Sequence, residues 1–300
     1  MGVVTTGFFD GVHLGHRYVL ETVVSSARER GEEAIVVTFW PHPRTVLQQD
    51  AREFRLLTGM EEKKQLLTAL GIDRVEVIPF TREFAALTAA EYLRLLRRRY
   101  GATMVVMGYD NRIGCDHLNA QACAELPDFT HRIDFSVLSC AELPDLAHSE
   151  AVSSTQIRKA LEAGDVERAN GMLGYEYALY GVVVAGNRLG RTLGFPTANM
   201  QLYEPLKLIP RDGVYAVEVE VLEKKYRGMC NIGLRPTVDG KVRTIETHIL
   251  DFDEDIYGLP MRLHFLRRIR DERKFPSLNA LKEQLLQDKQ QCYGENCFHP

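Results

Sequence analysis

Hydrophobic and polar positions follow two different rhythms along this chain. In the first half, short apolar runs alternate with stretches of helical period. Val3-Val4-Thr5 reads as a strand, and Val19, Leu20, Val23, Val24 and Ala27 recur at the spacing of a helix that Gly31 is placed to stop. Residues 34–39 then read as a buried strand, 61–70 as a helix ended by Gly71, 75–78 as a strand, 89–100 as a helix ended by Gly101, and 103–107 as a strand. Strands alternating with helices predict an α/β fold with a doubly wound parallel sheet, whose ligands lie at the carboxyl ends of the strands. Two short helical turns with glycine stops cover 163–174, and the rhythm then changes to strands without helices between them. Residues 178–185, 213–222, 226–232, 243–250 and 261–266 read as strands, followed by an amphipathic helix over 278–286. That predicts a small antiparallel β-barrel with one capping helix, and a division into domains 1–174 and 175–300.

Three hundred residues with 45% hydrophobic content suffice for two cores. No apolar run is long enough to span a bilayer and no secretory leader is legible, so a cytoplasmic protein without a membrane partner is expected. A net charge of −4 gives no reason to expect nucleic acid as a partner. The basic cluster Arg94, Arg97, Arg98 and Arg99 is interrupted by leucines at helical spacing, which fits a solvated helix face. The six cysteines contain no Cys-x-x-Cys pair and read as free thiols; Cys292, Cys297 and His299 make a poor metal set in a terminal tail. Monomer and weak homo-oligomer both remain open.

The densest chemistry lies in Gly186-Asn187-Arg188-Leu189-Gly190-Arg191-Thr192-Leu193-Gly194-Phe195-Pro196-Thr197-Ala198-Asn199. Gly186, Gly190 and Gly194 let backbone N–H groups approach phosphate oxygens, and Arg188 or Arg191 adds charge-assisted bonds. The Thr197 hydroxyl and the Asn199 carbonyl oxygen are hard ligands of the kind Mg²⁺ accepts. A glycine-rich hairpin with solvated arginines is the competing reading. A second cluster, Gly7-Phe8-Phe9-Asp10-Gly11-Val12-His13-Leu14-Gly15-His16, sets His13 and His16 at a strand-to-helix turn, where free N–H groups and the helix dipole favour phosphate. Ser153-Ser154-Thr155, with Arg158 one turn on, opens another helix that could face a triphosphate, although ordinary capping explains one serine alone. Glu246 stands alone as an acid in the apolar strand Ile245-Glu246-Thr247-His248-Ile249-Leu250, as a base or as half of a strand salt bridge.

The glycine loop, with its Pro-Thr-Ala-Asn end, resembles the signature loop of riboflavin kinases. The first cluster, Thr38-Phe39-Trp40-Pro41-His42-Pro43-Arg44 and Ser153-Ser154-Thr155-Gln156-Ile157-Arg158 resemble the FAD synthetase branch of the nucleotidyltransferases. Taken in order, these segments are similar to the bifunctional bacterial riboflavin kinase/FAD synthetase family. The resemblance implies two ATP-dependent reactions, riboflavin to FMN and FMN to FAD, with Mg²⁺ on the phosphates. It implies Glu246 as base, His13, His16 and Arg158 in adenylyl transfer, and phosphate contacts from Gly7, Asp10, Gly15, Ser153, Ser154, Thr155, Gly186, Arg188, Gly190, Arg191 and Gly194. Asp110, Asn231, Arg235 and Arg270 are implied in flavin binding, and Thr197 and Asn199 in holding the metal. The sequence departs from the family pattern at Asn111 and Ile113, where aromatic residues are usual, and Cys115 to Asn119 carries no basic continuation. An altered adenylyltransferase half is therefore a further expectation. A monofunctional riboflavin kinase, or a flavin-binding regulator without turnover, would be the alternative.

Overall fold

The computed structural model describes residues 1–47, 54–108, 111–127, 133–138, 152–186, 190, 193–237 and 240–293. The chain divides into two compact units, Met1–Ser154 and Thr155–Pro300. In the first, β1 (Gly2–Thr6), β2 (Glu33–Trp40), β3 (Arg74–Pro79), β4 (Ala102–Gly108) and β5 (Asp134–Leu138) form a parallel sheet in the order β3-β2-β1-β4-β5. Successive strand residues face opposite sides, so the sheet has two cores. Val3, Ala34, Val36 and Val106 pack with Leu20, Val23 and Ala27 of α1 (Leu14–Arg30) and Leu67 of α3 (Met60–Ala69). Val4, Ile35, Val37, Val105 and Met107 pack instead with Tyr92, Leu93 and Leu96 of α5 (Ala89–Tyr100). This is the doubly wound sheet expected. Gly31 and Gly101 end α1 and α5 in the left-handed conformation, as their positions after the last apolar residue imply. The short helices α2 (Pro43–Leu47), α4 (Arg82–Ala85) and α6 (Ala120–Ala124) and strand β5 were not legible in the periodicity, being five residues or fewer.

The chain runs from β1 outward through β2 to β3, then returns to place β4 on the other side of β1. The direction of strand order therefore reverses beside β1, and the crevice outside its carboxyl end is where such sheets bind ligands. The Gly7–His16 segment leaves β1 at that point.

The second unit begins within α7 (Ser154–Ala163), includes α8 (Val166–Leu173), and continues into a closed antiparallel barrel in the order β10-β7-β6-β11-β8-β9. Its strands are β6 (Ala178–Val184), β7 (Ala198–Leu202), β8 (Gly213–Val221), β9 (Lys224–Thr237), β10 (Gly240–Ile249) and β11 (Pro260–Arg270). Strand β7 is the tail of the glycine loop, which the sequence pattern left outside the strands. Helix α9 (Leu278–Cys292) lays Leu285 and Cys292 on Val214, Ala216 and Met229 of the barrel wall.

Candidate functional sites

In the first unit the turn after β1 is held from several sides. Gly7 donates its N–H to the Val37 carbonyl at 3.1 Å, and Phe9, Gly11 and Val12 take positive φ angles of 51°, 83° and 39°. His13 is the N-cap of α1, its Nδ1 accepting the His16 N–H at 3.4 Å, an arrangement that leaves its ring proton on Nε2. The two imidazoles stack with centroids 3.6 Å apart and planes 18° from parallel, above Gly15. Nδ1 of His16 is buried and has no hydrogen-bond partner among the described residues. Burial first, then the neighbouring His13 and Lys63, pushes the His16 pKa well below the ordinary histidine range.

Asp10, expected from sequence at a phosphate, commits its carboxylate to the turn itself. It is almost fully buried and accepts the Leu57 N–H at 3.0 Å, the Thr58 N–H at 3.1 Å and the Thr58 hydroxyl at 3.4 Å. The Ser154 hydroxyl donates to its backbone carbonyl at 2.9 Å, tying Ser154 to the same turn. Ser153 is half-buried, as is Arg158 within the first turns of α7, while Thr155 is exposed. The Trp40–Pro41 peptide is cis, and the His42 ring that follows meets Phe8 edge-on at 3.9 Å.

The segment that departs from the family pattern is built into the fold. The Asn111 amide donates to the Thr6 carbonyl at 3.0 Å, at the carboxyl end of β1. Ile113 is 3% exposed within the core against α5 and bridges to Leu118, and Asp116 accepts the Ala89 N–H at 2.8 Å, at the start of α5. Aliphatic packing thus occupies position 113, and an acid caps a neighbouring helix where the family has a basic run. Asp110 lies outside the described residues.

In the barrel, Glu246 of β10 pairs with Asn231 of β9 on one side and Asn199 of β7 on the other. Directly paired residues share a face, so the three polar side chains form one row across the sheet. Asn231 and Glu246 line a cavity of about 310 Å³ with Gly190, Leu193, Thr197, Val214, Met229 and His248. A second cavity, of about 230 Å³, is bounded by Pro196, Thr197, Thr247 and residues 252–257. Thr197 belongs to both walls, and His248 fixes the residue before it by donating from Nδ1 to the Pro196 carbonyl at 2.8 Å. Burial lowers the His248 pKa, in keeping with this neutral, donating role.

Gly186 is explained by what would replace its hydrogen: a Cβ there would lie 2.2 Å from Nδ2 of Asn199. The glycine therefore gives the Asn199 amide its place. Gly190 receives the Leu193 and Phe195 N–H groups on its carbonyl, at 3.1 and 2.8 Å, and Gly194 has φ 82°. Arg188 and Arg191 lie outside the described residues, and of Arg235 only the backbone pairing with Val242 is described.

Arg270 lines the larger cavity, but its Nε and Nη2 are held by Asp288 of α9 at 2.9 and 2.8 Å. Asp288 is fully buried and also accepts from Gln284 at 2.7 Å. Beyond Arg270, Glu272, Arg273 and Phe275 form one side of the cavity. The Glu272 carboxylate lies over Gly233, where a Cβ would come within 2.1 Å of it. Sequence reasoning passed over Asp288. The legible signal for Asp288 was its place on the buried stripe of α9, seven residues after Leu281 and four before Cys292. Replacing Asp288 with alanine strands the Arg270 guanidinium, and should destabilise the barrel by about 3 kcal/mol in denaturant unfolding; an unchanged midpoint would deny the pair its anchoring role.

A family model described as FAD synthetase matches residues 1–156 and one described as riboflavin kinase matches residues 173–294. The bifunctional riboflavin kinase/FMN adenylyltransferase of Bacillus subtilis is 37% identical over 96% of this chain and 90% of its own length. The protein of the same name in Escherichia coli K12 is 36% identical, with the same coverage of both chains. A crystal structure described as a macrolide-efflux protein from Streptococcus pneumoniae superposes with a TM-score of 0.87 at 33% identity, over 96% of this chain and 93% of that one. In the present chain no helix among the described residues is long and apolar enough to cross a membrane. With both family models matched in order and full-length relatives above 30% identity, the chain belongs to the bifunctional riboflavin kinase/FMN adenylyltransferase family.

Proposed function

We propose that this protein is a cytoplasmic enzyme that phosphorylates riboflavin to FMN in residues 175–300, and joins FMN to AMP from a second ATP in residues 1–174, giving FAD and pyrophosphate. The observation that carries the reading is the Asn231-Glu246-Asn199 row beside Thr197, a residue shared by two adjoining cavities. One cavity suits the flavin and the other the nucleotide, so the hydroxyl to be phosphorylated and the γ-phosphorus would meet at Thr197.

In the kinase step Glu246 takes the proton of the ribityl 5′-hydroxyl as that oxygen attacks the γ-phosphorus and ADP leaves. Asn231 flanks the flavin chain, and the segment carrying Arg270, Glu272 and Phe275 covers the ring system, with Arg235 beside it. The glycine loop, with Arg188, Arg191 and the Gly186, Gly190 and Gly194 backbone, holds the ATP phosphates. The Thr197 hydroxyl and Asn199 carbonyl oxygen are hard donors, and the amide has the room that Gly186 leaves, so this pair fits Mg²⁺. That ion supplies charge neutralisation on the phosphates.

In the adenylyl step the FMN phosphate attacks the α-phosphorus of ATP and pyrophosphate leaves. His13 and His16 donate toward the phosphate oxygens with the Gly15 backbone beside them; Gly7, whose N–H is taken by Val37, shapes the turn, and Ser153, Ser154, Thr155 and Arg158 are assigned to the phosphates from their motif. Asp10 acts one step removed, by fixing the turn, and Asp110 is assigned to the flavin from its motif alone. Catalysis is mainly positioning and charge stabilisation.

The test is incubation of the protein with riboflavin, ATP and Mg²⁺, followed by chromatographic separation of the flavins over time. FMN followed by FAD is the expected course. FMN alone would leave a kinase with a scaffold domain, and neither product despite flavin binding would leave a regulator. Gly186→Ala should lower the kinase rate by about tenfold or more, because the Asn199 amide must move from its place, while conversion of supplied FMN to FAD stays unchanged. Equal loss of both rates would count against separate sites.

A further inference from the structure

Lys63 lies on α3 at a position where the helix turns inward, and its side chain has no exposed surface. Charged lysines are almost never buried so completely without a task. Its Nζ donates to the Phe8 carbonyl at 2.6 Å and sits 3.5 Å from the centroid of the Phe8 ring. The same ring meets His42, so Phe8 is held between the ammonium and the Pro-His-Pro loop. Phe8 opens the turn that carries Asp10 and His13, and the charge of Lys63 acts on His16.

We infer that Lys63 is a positioning residue of the adenylyl-transfer site: a water-excluded ammonium that fixes the Phe8-to-Gly11 turn through the Phe8 carbonyl and adds its positive charge to the surroundings of His16. The inference rests on the proposed assignment of that site.

Two consequences separate Lys63 from a structural plug. Its charge disfavours protonation of His16, after burial and His13, while the negative charge of Asp10 favours the charged form of Lys63. Burial brings the lysine down to about 8, so it remains mostly protonated at neutral pH. His16 is therefore kept as a neutral imidazole until an anion arrives, and the ammonium adds to the attraction for that anion.

The experiment compares Lys63→Met, which loses both charge and donor, with Lys63→Gln, which loses the charge but keeps a donor for the Phe8 carbonyl. Both are expected to move the His16 ring titration, followed by NMR of the whole protein, up toward the ordinary histidine range. Both should shift the acid limb of FAD formation from FMN in the same direction. Lys63→Met should lower kcat for that reaction by about tenfold to a hundredfold with KM for FMN little changed, and Lys63→Gln should recover part of the loss. Phosphorylation of riboflavin by the same preparations should be unaltered. An unmoved His16 titration in both variants would overturn the inference, as would equal kcat losses with an unshifted pH profile. If the unmodified protein makes no FAD, the assignment of the site fails, whereas the His16 titration still decides whether the charge of Lys63 acts on that imidazole.

Discussion

Glu246→Gln is expected to lower FMN formation from riboflavin by about a thousandfold, within the range of general-base contributions, while conversion of supplied FMN to FAD proceeds at the normal rate. The size follows from where the carboxylate stands. Glu246 lies between Asn231 and Asn199 in one row, on the wall of the larger cavity, and its neighbours are amides that can orient a hydroxyl but cannot take its proton. Glutamine keeps the shape and a carbonyl acceptor, so the barrel should unfold at the same denaturant concentration. What is lost is the proton acceptor at the attacking oxygen. A single-turnover assay in which radiolabelled ATP reacts with enzyme-bound riboflavin isolates this step from product release. A variant that phosphorylates riboflavin within tenfold of the normal rate would show that the carboxylate only shapes the cavity.

Much of this architecture was legible because it is written in short-range signals. Gly31 and Gly101 stop helices where the apolar stripe ends, and the change from helical to strand rhythm near residue 174 separates parallel sheet from barrel. What escaped is what depends on partners far away in sequence. Strand β7 carries no alternation, because its Ala198 and Asn199 are defined by pairing with Thr247 and Glu246 rather than by a solvent face. The row of Asn231, Glu246 and Asn199 is a consequence of register in a closed barrel, and no spacing within one strand reveals it. Asp10 illustrates the converse. It sits in a motif that points to phosphate, yet the Leu57 and Thr58 donors from another segment engage its carboxylate. The departures at Asn111 and Ile113 each have a local task in the fold that sequence could not show, bonding the end of β1 and filling the core. Charged residues at buried stripe positions, Lys63 and Asp288, were the sequence signals left unread.

His16→Ala is expected to depress FAD formation from FMN by about a hundredfold to a thousandfold, the usual effect of removing one donor from a developing oxyanion, and to spare the kinase. The environment of this imidazole explains why so much rests on it. Its ring stacks on His13, its Nδ1 is buried without a partner among the described residues, and burial, His13 and Lys63 all disfavour its charged form. An arriving triphosphate opposes that effect, because a nearby negative charge favours protonation, so a neutral ring with one N–H donor can gain a second when charge develops. The same lowered pKa has a consequence for folding. Below the ordinary histidine value of 6.5, the unfolded chain binds a proton at His16 that the folded chain refuses. Stability is therefore lost as pH falls from that value toward the lowered one, by up to about 1.4 kcal/mol per pH unit for a single proton. Removing the imidazole removes that penalty, so His16→Ala should flatten the fall in unfolding midpoint between neutral and mildly acidic pH even as it abolishes most adenylyl transfer. An inactive variant with the unmodified protein's acid sensitivity would mean that His16 is protonated as readily in the folded chain as in the unfolded one, and the neutral-ring argument would fail. A variant that makes FAD at the normal rate would remove His16 from the chemistry.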